Sequence, residues 1–185
     1  MVFKKSMTRF FDILFSLLGL IIFFPFLPLF LLVGWFVSGS PLYIQKRVGF
    51  NLKTFNLIKF RSMKMGTVST STHLVNTSNI NIYGYFLRKF KIDEIPQLWN
   101  VLVGEMSIVG PRPCLINQKK LISERKKRGV FKVKPGITGL AQILGITMKT
   151  PTLLANTDLK MIKQMSLTYY LYYILKTILF LPSFR

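Results

Sequence analysis

The sequence predicts an α+β fold, mainly helical: a single small domain with an N-terminal re-entrant membrane helix and interfacial amphipathic helices. Three observations lead there. An uncharged run of 33 residues, 13–45, lies near the start; two strand-like segments follow it; and the later periodicity is helical, cut into pieces by Gly and Pro. A length of 185 residues suits one compact domain with an appendage, divided here into a membrane helix over 1–40 and a body over 41–185.

The uncharged run exceeds the ~20 apolar residues that span a bilayer, so membrane contact is expected. Pro25 and Pro28 fall inside it, and each removes a backbone donor and disfavours straight helix. From Arg9 to Pro25 the chain gives roughly 24 Å of helix, short of a ~30 Å hydrocarbon core. Lys4, Lys5 and Arg9 precede the run, and Lys46, Arg47, Lys53, Lys59, Arg61 and Lys64 follow it. Positive flanks favour the cytoplasm at both ends, which predicts a bent helix that enters and leaves by one face. A kinked spanning helix and an uncleaved signal sequence are the alternatives. A cleavable signal peptide is disfavoured, because its apolar region runs only ~7–15 residues.

Next come Leu42-Tyr43-Ile44-Gln45 and 54–60, two strands around a turn at Gly49-Phe50-Asn51. The stretch 66–81 is rich in Ser, Thr and Asn and reads as a mobile loop or short insertion. Helices are predicted over 83–90, 95–103 and 115–128, separated by Gly104, Gly110-Pro111 and Pro135-Gly136. The last apolar patch, 166–182, carries four tyrosines and a central Lys176, which suits an interfacial helix; a buried core helix is the alternative.

Charge narrows the partners. With 26 Lys+Arg against 6 Asp+Glu, the formal charge of +20 favours polyanions: nucleic acid, anionic lipid or phosphorylated small molecules. Half of the residues are apolar and 17 are Phe, the balance of a membrane-associated chain, and no nucleic-acid reader motif accompanies the charge. The single Cys114 excludes an internal disulfide, and with the single His73 it leaves no zinc ligand set. The basic run Lys119-Lys120 to Arg125-Lys126-Lys127-Arg128, continued by Lys132 and Lys134, reads as a solvated face. It also fits attraction to anionic lipid, worth ~1 kcal/mol per basic residue close to the surface.

Two of the six acids stand side by side in a basic stretch, Arg88-Lys89-Phe90-Lys91-Ile92-Asp93-Glu94-Ile95-Pro96. Pro96 belongs in the first turn of a helix, which puts Asp93 and Glu94 at or just before its N-terminus. A plain N-cap role would account for Asp93 and leave Glu94 without one. An aspartate is ionised near neutrality and needs no base to act as a nucleophile, whereas a serine or cysteine would need one. A phosphate facing two carboxylates also needs positive charge, from Lys59, Arg61, Arg88, Arg112 or a divalent metal. In Gly110-Pro111-Arg112-Pro113 the prolines stiffen a loop around a guanidinium suited to phosphate oxygens; a rigid structural turn is the simpler alternative.

Taken in order, these residues resemble the bacterial sugar transferase family, the small monotopic polyprenyl-phosphate phosphoglycosyl transferases. The matching blocks are Gln45-x-Arg47-x-Gly49, Lys59-Phe60-Arg61-Ser62-Met63, Leu87-Arg88-Lys89, Asp93 through Leu102, Gly104 through Pro113, and Lys134 through Gln142. The resemblance implies a catalytic domain at the cytoplasmic face of the bacterial inner membrane. It further implies transfer of a phospho-sugar from a UDP-sugar to undecaprenyl phosphate, with UMP leaving. Asp93 would be the nucleophile and, with Glu94, would hold Mg2+; Lys59, Arg61, Arg88 and Arg112 would bind phosphates, and Gln142 would lie near the nucleotide. The implied partners are UDP-sugar, undecaprenyl phosphate and the membrane, not nucleic acid, with a homodimer allowed. Two departures stand out: Ile146 replaces an Arg that many members place after Gln142, and Tyr170 replaces an Asp, removing a polar tie or a site acid. A phosphohydrolase and a membrane-bound scaffold without turnover are the rival functions.

Overall fold

The computed structural model describes residues 2–63 and 81–179, with side chains from Met7 onward. The Ser/Thr/Asn-rich stretch, apart from Asn81, and His73 lie outside the described residues, as does the end of the last apolar patch.

Helix α1 (Val2–Phe23) ends in a 3-10 turn, Phe24–Phe26, and α2 (Leu27–Ser38) follows. Pro28 has no N–H to give the Phe24 carbonyl, which takes the Leu27 N–H instead and tightens the winding there. Phe60, wholly buried, packs against Phe23 and Phe30 on either side of this turn, with ring centroids 5.9 Å away in both cases. The Tyr83 hydroxyl donates to the Phe30 carbonyl at 2.8 Å, so α2 is held by the body as well. The outward face of α1 and α2 is apolar: Leu17, Ile21, Ile22, Leu29, Trp35 and Phe36 are all exposed.

Strand β1 (Leu42–Val48) pairs antiparallel with β2 (Thr54–Phe60), in register from Leu42 opposite Phe60 to Val48 opposite Thr54. The hairpin tip runs through the expected turn, with Asn51 and Leu52 at positive φ. Helices α3 (Ile82–Lys89) and α4 (Gln97–Val103) follow, the latter ended by Gly104 at φ 93°. The expected helix over 115–128 begins later than the sequence predicts. Cys114–Leu115 instead forms β4, which adds to the free edge of β1, and α5 spans Lys119–Lys127. Two short strands escaped the sequence reading: β3 (Ser107–Val109) pairs in parallel with β5 (Gly136–Thr138). Helices α6 (Leu140–Ile143), α7 (Pro151–Gln164) and α8 (Leu167–Leu179) complete the body.

The main core joins Phe55 and Leu57 of β2, Val101 of α4, Met106 just before β3, Ile108 within β3, Met161 of α7, and Tyr170 and Tyr173 of α8. Helix α8 packs one face into the body, as the core-helix alternative expects: Tyr170 and Tyr173 are buried, while Tyr169, Tyr172, Leu175 and Ile178 are exposed. Ile146 packs against a second cluster of Val48, Cys114, Leu121, Ala141 and Leu154, so its apolar side chain serves the core.

Candidate active site

Lys91 turns the chain sharply at φ 54°, and the 3-10 turn Ile92–Glu94 follows it directly. Pro96, not Asp93, occupies the N-cap of α4, and it makes no side-chain capping bond. The simple capping role for Asp93 is therefore absent. The turn packs against β2, which carries Lys59, and against α3, which carries Arg88. Asn100 fixes the register between α4 and β2: its Nδ2 donates to the Asn56 carbonyl at 2.8 Å, and its Oδ1 accepts the Ile58 N–H at 3.1 Å. Lys59 is the next residue along that strand edge.

Asp93 is 8% exposed. Burial, with Glu94 alongside, pushes its carboxyl up to about 6, against the pull of Lys59, Arg88 and Arg112. Glu94 behaves in the opposite way. Burial raises it, but Arg112 and the hydrogen bond it donates, Nη2 to Oε1 at 2.7 Å, prevail with Lys91 and Lys59, and the carboxyl lies below its ordinary value. Burial brings the Lys59 ammonium down to about 8; Asp93 opposes that shift while Arg112 and Arg47 add to it. Arg88 is lowered by burial and steadied by Asp93, and its Nε donates to the Ser62 hydroxyl at 2.8 Å.

The Gly110-Pro111-Arg112-Pro113 loop has its own support. The Arg112 carbonyl accepts from Arg125 Nη1 at 2.7 Å, and Arg125 Nε donates to Asp158 Oδ2 at 2.9 Å. Arg125 is 1% exposed and Asp158 is fully buried. Arg125 therefore does not belong to the solvated basic face that its neighbours Lys126 and Lys127 form. Its spacing from Leu121, one turn earlier and buried, is the signal in the sequence that marks it as inward-facing.

The structure brings together Asp93, Glu94, Lys59, Arg88 and Arg112. Arg61 is engaged elsewhere: its guanidinium donates to the Leu42 carbonyl at 3.3–3.4 Å and lies over the Tyr43 ring. Gln142 reaches the backbone of the arginine loop, with Nε2 donating to the Gly110 carbonyl at 3.4 Å. Arg47 and Lys91, not singled out from the sequence, both act on Glu94. The polar tie that Tyr170 was expected to lack is present, since its hydroxyl donates to Asp12 Oδ1 at 2.8 Å.

Among the described residues no three His, Cys, Asp or Glu side chains converge. A divalent ion here would rest on Asp93, Glu94 and oxygens of a ligand, which is how magnesium sits with substrate phosphates. Two carboxylates among Lys59, Arg88, Arg112 and Arg47 leave an excess of positive charge, suited to an anion that meets a nucleophilic carboxylate.

The model of the bacterial sugar transferase family matches residues 3–182, and the chain belongs to that family. It is 35% identical over 159 residues to an uncharacterized sugar transferase of Haemophilus influenzae, covering 77% of this chain and 34% of that one. The uncharacterized sugar transferase EpsL of Bacillus subtilis is 45% identical over 108 residues, 58% of this chain and 53% of its own. A UDP-glucose:undecaprenyl-phosphate glucose-1-phosphate transferase of Xanthomonas campestris pv. campestris is 41% identical over 124 residues, 62% of this chain and 25% of its own. The chain thus spans between a quarter and about half of the length of these relatives.

Proposed function

We propose that this protein transfers a phospho-sugar from a UDP-sugar to a polyprenyl phosphate such as undecaprenyl phosphate, by two displacements at Asp93. The observation that carries the reading is the pairing of a buried, neighbour-strained Asp93 with Glu94 in a ring of cations. The name of the Xanthomonas relative supports the substrate classes.

In the first displacement an Asp93 carboxylate oxygen attacks the sugar-side phosphorus of the diphosphate, and the bridging P–O bond breaks. UMP leaves with the bond's electron pair, and the phospho-sugar stays on Asp93 as an acyl phosphate. In the second, a phosphate oxygen of the lipid attacks the same phosphorus and frees the carboxylate, giving polyprenyl diphosphate-sugar. Both nucleophiles are anions, so neither step needs a proton removed. Arg88 and Arg112 hold phosphate oxygens in place, and Lys59 neutralises charge beside Asp93. Glu94, paired with Arg112, keeps that guanidinium beside the acid pair. Magnesium held by Asp93 and Glu94 would supply further neutralisation of the diphosphate.

The lipid substrate sets the location. Helices α1 and α2 form a re-entrant anchor with both ends on the cytoplasmic face of the bacterial inner membrane, and the outward face of α8 lies at the interface. The most apolar 18-residue window within Met7–Ser38 has a mean hydropathy of 2.6 and is 6% buried, which supports this placement. The test is UMP release from a panel of UDP-sugars by protein in nanodiscs with magnesium and undecaprenyl phosphate, beside Asp93→Asn. Release that requires the lipid phosphate and the Asp93 carboxylate is expected; silence across the panel from folded protein would refute the reading.

A further inference from the structure

The two displacements provide no task for Arg47. It lies near the end of β1, where Nη1 donates to the Pro113 carbonyl at 3.1 Å and Nη2 to Gln45 Oε1 at 2.5 Å. Its Nε is buried without a hydrogen-bond partner. A buried donor left unpaired in this way costs free energy, and a ligand atom is one means of satisfying it. Among the described residues no carboxylate stands within ion-pair distance of Arg47, whereas Glu94 and Asp158 each have a guanidinium of their own.

The position of its charge matters as much. Lys59 is influenced by both Arg47 and Arg112, and Arg47 in turn by Arg112 and Glu94. Burial, with Arg112 adding to it, brings Arg47 down to about 10, so it remains charged at neutral pH. Three cations therefore share one region with Glu94 already matched and Asp93 also facing Arg88. Repulsion among them is relieved when an anion arrives. A tie between β1 and the arginine loop is the lesser role open to Arg47, and one neutral donor would serve for that.

We propose that Arg47, with Arg112 and Lys59, holds a second phosphate group beside the one that Asp93 attacks. This inference rests on the transferase reading, but the site is defined by its affinity for phosphate and is testable without turnover. Two substrates carry a phosphate to that place: the nucleotide side of the donor's diphosphate, and the monophosphate of the lipid acceptor.

The experiment titrates inorganic pyrophosphate into wild-type protein, Arg47→Gln and Arg47→Lys by calorimetry in detergent, with thermal unfolding of each alongside. Loss of one charge-assisted hydrogen bond should weaken binding to Arg47→Gln about tenfold or more. Arg47→Lys should retain most of the affinity, and both variants should unfold near the wild-type temperature. Equal binding by wild type and Arg47→Gln overturns the proposal, as does absence of binding by wild type. Equal losses in both variants, tracking a fall in unfolding temperature, would mean a loop tie alone and overturn it too. Separate titrations with UMP and with a short-chain polyprenyl monophosphate assign the phosphate, according to which is weakened in Arg47→Gln; neither being weakened overturns the assignment. A wild-type protein that binds pyrophosphate through Arg47 but releases no UMP would remove the transferase reading and leave this site standing.

Discussion

The Tyr170 hydroxyl donates to Asp12 Oδ1 at 2.8 Å, so the last described helix holds the first. The same carboxylate oxygen accepts the Ser107 hydroxyl and the Ile108 N–H, each at 2.9 Å, at the start of β3. One turn earlier, Arg9 donates to the Val101 and Leu102 carbonyls at 2.6 and 2.7 Å, where α4 leaves its last acceptors open. The apolar helix is thus fastened by polar groups to the helix that the acid pair precedes.

Removing the Tyr170 hydroxyl leaves Asp12 with two of its three donors. Tyr170→Phe should therefore cost about 1.5–3 kcal/mol, the range for a hydrogen bond to a charged group. Asp12→Ala should cost more, because it leaves the Ile108 N–H and two hydroxyls unpaired at once. Thermal unfolding in detergent measures both, and a Tyr170→Phe protein as stable as wild type would show that the bond contributes nothing.

Burial of the Asp93 carboxylate makes a prediction about stability against pH. Its folded value, about 6, lies above its ordinary 3.8, so the fold favours the protonated form. That stabilisation is complete below pH 3.8 and is lost as pH rises through about 6. At pH 7.5 in metal-free buffer, Asp93→Asn should therefore raise stability by up to about 3 kcal/mol, and near pH 4 the gain should largely vanish. Unfolding midpoints at the two pH values check it; a gain of equal size at both would assign the effect to packing.

Lys59 sets the opposite limb of activity. Burial brings its ammonium to about 8, so the positive charge beside Asp93 is lost as pH rises past that value. UMP release should fall above pH 8, and Lys59→Arg, which keeps its charge, should move that limb upward. Arg61→Gln is the control, since Arg61 is occupied by the Leu42 carbonyl and should leave the limb in place.

What the sequence disclosed, and what it hid, follows from the range of the interactions. Asp93 and Glu94 stood out because acids are scarce in a chain of charge +20, and the kink at Pro25 is written in local stereochemistry. Arg61 resembled Lys59 two places before it, but the strand ends at Phe60 and its side chain returns to β1. Arg125 was hidden in a basic run because its partner Asp158 is 33 positions away. Strands β3 and β5 are three residues each and define one another only through long-range pairing, so neither has a local signal.

The Arg125–Asp158 pair separates stability from positioning. Asp158→Asn or Arg125→Met strands a buried charge or its unmet partner and should cost about 3–5 kcal/mol. Replacing both, as in Arg125→Met with Asp158→Leu, removes the unpaired charge and should restore much of that stability. It does not restore the donor to the Arg112 carbonyl, so UMP release should stay low while the unfolding temperature recovers. Recovery of both together would show that Arg112 needs no such support.

Gly84 governs how close α3 comes to the site. A Cβ at that position would stand 2.0 Å from the Ser62 carbonyl oxygen and 3.0 Å from its Cα, so no side chain fits unless the helix moves. Arg88 lies one turn further on the same face, and its Nε meets the Ser62 hydroxyl at 2.8 Å. The approach that only glycine permits is what lets Arg88 share a hydrogen bond with Ser62 while acting on Asp93. Gly84→Ala must push α3 outward and withdraw the guanidinium; a misplacement of about 1 Å can lower turnover by roughly 100-fold. UMP release should fall at least tenfold, and Ile82→Ala, a change at a position 91% exposed on the same helix, should leave it unaltered. Wild-type turnover by Gly84→Ala would mean that Arg88 reaches the substrate by a route independent of this contact.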